Sequence, residues 1–102
     1  MPKYNKLVRD KIPDIIKQAG KKPFTHIAAD EEYENALINK LKEEVAEFLA
    51  GPSVEEAADI LEVLQAICAF KKIDMTELEK TRQKKADERG GFKKRIILEK
   101  TE

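Results

Sequence analysis

The sequence predicts an all-α fold: an antiparallel bundle of about four helices in a single domain spanning residues 1–102. Three observations predict it. Apolar residues recur at helical spacing through most of the chain. Helix breakers divide it at Gly20, at Gly51-Pro52 and at Gly90-Gly91. Capping residues stand where helices would restart, at Asp30, Ser53 and Asp74.

The first helix is expected over residues 10–19. Pro13 is tolerated in its first turn, Gly20 ends it, and Ile12, Ile15 and Ile16 share one face. Residues 21–29 read as extended, with a short strand over 24–28. The second helix is expected over 31–50, with Asp30 as N-cap, Glu31 and Glu32 at the positive end of the dipole, and Tyr33, Leu37, Leu41, Val45 and Phe48 as the apolar stripe. Gly51 closes it and Pro52 prevents its continuation. The third starts at Ser53, which forms a capping box with Glu56. Its apolar band (Val54, Ala57, Ile60, Leu61, Val63, Leu64, Ile67, Cys68) is wider than one surface face requires and predicts a central or intersubunit position. The fourth follows Asp74 and runs to about residue 88. The tail over 92–99, with its Ile96-Ile97 pair, is expected to be an edge strand that pairs with 24–28 in a minor two-stranded ribbon.

Composition bounds the function. The chain has 102 residues, 41% hydrophobic and 39% charged, with twenty basic and twenty acidic side chains that cancel. No global field draws it to nucleic acid or membrane. No apolar run approaches the ~20 residues that span a bilayer. The N-terminus lacks the apolar stretch of a secretory signal, so a cytoplasmic location is expected. Cys68, the sole cysteine, reads as a small buried hydrophobe, and His26, the sole histidine, as a loop or strand residue.

Four acids carry the chemistry. Glu44 and Glu47 form one E-x-x-acid step, and Glu56 and Asp59 form another, with eight residues between the two. If the chain reverses at Gly51-Pro52-Ser53, Glu47 and Glu56 stand at nearly the same height, and Glu44 and Asp59 match one turn further on. The expected result is a box of four carboxylates across a helix pair. At about 100° per residue, Glu44 projects with Leu37 and Phe48, and Glu56 projects inside the arc of Ile60, Val63 and Ile67. Asp59 sits at the edge of that arc, whereas Glu43, Glu55 and Glu62 point elsewhere. Acids inside an apolar face are costly unless paired or metal-bound. Oxygen-only ligands favour Mg²⁺, with Mn²⁺ as the second choice. The competing account is ordinary: Glu56 caps a helix and Glu47 pairs with Lys40 or Lys42.

The two acidic steps on consecutive antiparallel helices resemble those of the MazG-type all-α nucleoside triphosphate pyrophosphohydrolase superfamily, to which phosphoribosyl-ATP pyrophosphohydrolase belongs. The opening Tyr4-Asn5-Lys6-Leu7-Val8-Arg9-Asp10-Lys11-Ile12-Pro13 and the late Lys84-Lys85-Ala86-Asp87-Glu88-Arg89-Gly90-Gly91-Phe92 resemble its small single-domain branch, described as house-cleaning enzymes for non-standard nucleotides. The gap between the steps is usually longer in that superfamily. The resemblance implies metal ligands at Glu44, Glu47, Glu56 and Asp59, a homodimer or homotetramer with helices of two subunits at each site, and hydrolysis of a nucleoside triphosphate to the monophosphate and pyrophosphate. The alternatives are phosphoribosyl-ATP hydrolysis and a non-catalytic nucleotide-binding or helical interaction module. Phosphate partners are expected in two basic clusters, with Arg9 and Lys11 near the start and Lys85, Arg89 and Lys94 near the end.

Overall fold

A computed structural model describes residues 5–102. Tyr4, the first residue of the opening motif, and the three residues before it lie outside them. Among the described residues there are four α-helices and no strand: α1 (Ile12–Gln18), α2 (Asp30–Ala50), α3 (Val54–Phe70) and α4 (Met75–Arg89). The all-α class follows the helical periodicity of the sequence.

The helix ends obey local rules, with two departures. α1 is shorter than expected, and its N-cap is Lys11, with no side-chain cap. Gly20 (φ 81°) ends it in a Schellman motif, its N–H donating to the Lys17 carbonyl and the Lys21 N–H to the Ile16 carbonyl. In α2 the residue expected as N-cap, Asp30, is already helical, and Ala29 holds the cap position with no side-chain acceptor. The first-turn acids Asp30, Glu31 and Glu32 complement the dipole there instead. α3 starts as expected, with Ser53 Oγ accepting from the Glu56 N–H at 3.1 Å. At its end Lys72 takes the left-handed conformation (φ 60°) and the Ile73 N–H donates to the Cys68 carbonyl. Asp74 caps α4 by accepting from the Thr76 N–H.

The packed unit is the antiparallel pair α2–α3. Tyr33, Leu37, Lys40 and Glu44 on α2 alternate at spacings of four and three, as do Glu56, Ile60, Val63, Ile67 and Phe70 on α3. Every one of these positions is buried or half-buried, as a helix pair packing along a narrow seam requires. Leu37 and Cys68 are almost fully enclosed, Val63 nearly so, and Tyr33 meets Phe70 edge to face at 5.2 Å.

The rest of the chain adds little core. α4 buries no residue. The expected ribbon does not form: residues 24–28 are irregular, and Phe92 to Arg95 makes a turn closed by the Arg95 N–H on the Phe92 carbonyl. A two-stranded ribbon needs a helix face behind it, and none covers Phe24 or Ile97, both largely exposed. The molecule measures 62 × 31 × 24 Å with a radius of gyration of 18.3 Å, against about 13 Å for a compact domain of this length. No helix of the described residues is long and apolar enough to cross a membrane.

Candidate metal centre

The seam of α2–α3 changes character toward the turn. Toward the loop it carries Glu44 on α2 and Glu56 on α3, where the pattern calls for apolar side chains, with half-buried Phe48 between Glu44 and the turn. Asp59, three residues along α3, joins them. Ligand oxygens of Glu44, Glu56 and Asp59 all lie within 4.8 Å of one another. The three come from both arms of the hairpin, so the tight reversal at Gly51-Pro52-Ser53 is what places them together.

Ion pairing meets part of this charge. Lys40 Nζ stands 3.4 Å from Glu44 Oε1, one turn back along α2. Arg9, from the segment before α1, reaches across to Asp59 Oδ1 at 2.7 Å. Lys6 secures the same segment to Glu43 at 3.2 Å. Two cations therefore face three carboxylates. Glu56 has no ion-pair partner among the described residues, and its side chain does not close the expected capping box. Only the Ser53 half of that box is formed.

Two oxygens decide how the cluster is read. Glu44 Oε2 and Glu56 Oε2 are buried without a hydrogen-bond partner, and Glu44 as a whole is only 6% exposed. An unpartnered buried carboxylate oxygen carries a desolvation cost that a structural ion-pair network would remove. A cation held by the trio would offset the charge gathered there. All the donors are carboxylate oxygens, which suits Mg²⁺ or Mn²⁺ and disfavours softer metals. His26 is elsewhere, facing Glu32 at 2.9 Å, and Cys68 is sealed in the seam.

The box of four expected from helix heights is a trio in this chain. Glu47 is exposed and does not join the group. A step of three residues turns about 60° round a helix. On α3 that turn keeps Asp59 beside the seam, whereas on α2 it carries Glu47 outward. Lys40 does not pair with Glu47 either, since its partners are Glu43 and Glu44. Lys40 and Glu44 are four residues apart, a spacing visible in the sequence and overlooked there.

The basic residues separate into two sets. Arg9 touches the cluster, and Lys11 follows two residues later, exposed and without an ion pair among the described residues. Lys85 and Arg89 lie on α4 and Lys94 in the turn after it. None of these three makes an ion pair with the acids among the described residues.

No protein-family model matches the chain. No solved structure matches it. An uncharacterised protein of Mycolicibacterium smegmatis is 43% identical over 53 residues, covering 52% of this chain and 54% of that protein. The chain thus spans about half the length of the relative it matches, and that relative lends no activity.

Proposed function

We propose that this protein is a Mg²⁺-dependent nucleoside triphosphate pyrophosphohydrolase, with Mn²⁺ able to substitute, acting on non-standard nucleotides. The observation that carries this reading is the convergence of Glu44, Glu56 and Asp59, one carboxylate oxygen from each within 4.8 Å of the others, with Glu44 and Glu56 each keeping a buried, unpartnered Oε2. Glu44, Glu56 and Asp59 would hold the metal. When bound, it supplies positive charge against the phosphate oxygens and makes water more acidic.

The chain's own groups do the rest. Glu47, one turn along α2 from Glu44, points outward in this structure, and it orients the attacking water and accepts its proton once its side chain swings back toward Glu44. The water oxygen bonds to the α-phosphorus, the bond from that phosphorus to the bridging oxygen breaks, and pyrophosphate leaves. Arg9, paired with Asp59 in this structure, would turn its guanidinium to phosphate, which it can hold with two parallel hydrogen bonds. Lys11 adds charge from the same segment.

A second copy completes the site. α2 and α3 leave Ile38, Val45, Leu49, Val54, Leu61 and Leu64 partly or largely exposed on the hairpin. This apolar surface and the elongated monomer support a homodimer or homotetramer. The partner's α4 would then bring Lys85, Arg89 and Lys94 to the phosphates.

The test is to incubate the protein with Mg²⁺ and a panel of standard and modified nucleoside triphosphates and to measure pyrophosphate. Release of pyrophosphate that stops on chelation is expected. No release from any nucleotide overturns the reading.

A further inference from the structure

A cleft of about 620 Å³ lies beside the acid cluster, between α2 and the segment before α1. It is an open groove, since most of its lining residues are exposed. One wall is a polar stripe along α2, with Glu31, Asn35, Asn39 and Glu43 following one another at four-residue intervals. This spacing puts them on one side of the helix, one turn apart. Leu7 and Ala36 supply an apolar surface within the same cleft.

The ends of the stripe have structural work, Glu31 at the α2 dipole and Glu43 in its ion pairs, but its middle, Asn35 and Asn39, has none. The core-facing positions of α2 are Leu37 and Glu44, not these. Asn35 and Asn39 make no side-chain hydrogen bonds among the described residues, whereas the cleft's Glu43 is ion-paired to Lys6 and Lys40. Two adjacent free amides each offer one acceptor and two donors, the complement of a nucleobase edge. Three glutamates against two lysines make the cleft a poor phosphate site, so the charged end of a nucleotide belongs at the metal centre. Lys40 joins the two places, since it lines the cleft and stands 3.4 Å from Glu44 Oε1.

We infer that this cleft is the nucleobase subsite of the metal centre, with Asn35 and Asn39 selecting the base by its hydrogen-bonding edge. The inference rests on the pyrophosphohydrolase reading. No aromatic side chain lines the cleft among the described residues, so discrimination comes from edge contacts and not from stacking.

The experiment compares the full chain with Asn35→Ala, Asn39→Ala and the double variant on ATP, GTP, CTP and UTP with Mg²⁺. Both positions are exposed, and alanine favours a helix, so the variants keep the fold. The double variant should narrow the spread of kcat/KM among the four bases by roughly tenfold through KM, with kcat little changed. A wild type that turns over nucleotides with a base ranking the variants do not alter overturns the inference and leaves the proposed activity standing. A second measurement needs no turnover: metal-free nucleoside monophosphates are titrated while the Asn35 and Asn39 side-chain amides are followed by NMR. Shifts at both amides are expected, and their absence at millimolar nucleotide overturns the inference even if the activity itself is missing.

Discussion

The two ends of the α2–α3 hairpin share one seam and carry opposite chemistry. Away from the turn, Tyr33, Leu37, Phe70 and Cys68 pack an apolar interior, and Lys71 pairs with Glu34 across the helices. Beside the turn the same register delivers Glu44 and Glu56, with Asp59 at the edge. The first arrangement stabilises the pair, and the second opposes it by bringing like charges together in a partly dry site. The apolar end therefore holds the acidic end in place. Glu44 and Glu56 each leave one buried oxygen unpartnered at a seam position, an arrangement that costs stability.

Separate substitutions should break the two ends in separable ways. The largest effect is expected from Leu37→Ala, which hollows out the most enclosed side chain and should cost about 2–5 kcal/mol in urea unfolding. Glu56→Gln should do the reverse. Metal-dependent turnover should fall at least ~100-fold, since even groups that merely support metal ligands are worth about 10–100-fold. The metal-free unfolding midpoint should stay level or rise as one of three clustered charges is removed. Mg²⁺ should raise the wild-type unfolding free energy by about 2.7 kcal/mol at a hundred times its Kd, and this gain should vanish in the variant. A midpoint that Mg²⁺ leaves unmoved in the wild type would remove the metal from the acidic end.

A smaller gain sharpens the account of the apolar end. Lys72 sits in the left-handed region where α3 stops, a conformation glycine adopts without strain. Lys72→Gly should stabilise the chain by about 0.5–1 kcal/mol, read from the same unfolding curves. The smallest effect lies outside the hairpin, on α4. There the hydrogen bond from Arg82 holds the Glu79 carboxyl below the usual carboxylate range. A carboxyl with a lowered folded pKa contributes stability above its unfolded pKa and loses it as pH falls through the folded value. Glu79→Gln should therefore lower the midpoint slightly at pH 7 and leave it unchanged near pH 2. Both groups are exposed, so added salt should weaken the difference.

Much of this was legible in the chain. Ser53 and Asp74 announced their helices because a cap is a contact between neighbours in sequence. Glu44 and Glu56 were found because the helical period showed acids where apolar residues belong. The ribbon failed because Ile96-Ile97 has strand propensity but nothing to pack against, and propensity does not supply a partner. The first-turn acids of α2 were legible as dipole partners, but whether Asp30 lay just outside the helix or just inside it was not. Arg9 meets Asp59 across fifty residues, a contact that no local pattern encodes. The Asn35 and Asn39 pair was visible as a four-residue interval, although its meaning depended on the segment before α1 lying opposite.

The sequence alone determined where the helices run, where the chain reverses, and that carboxylates occupy positions the seam would give to leucine. These follow from hydrogen bonds and side-chain periods within a few residues. Only the tertiary structure decided that three acids converge and Glu47 turns away, that Arg9 and Lys40 answer two of the three charges, and that Glu44 and Glu56 each keep a buried oxygen free. The rotation of one helix against another settles those contacts, because a few tens of degrees about an axis changes which oxygens meet while the local pattern stays the same.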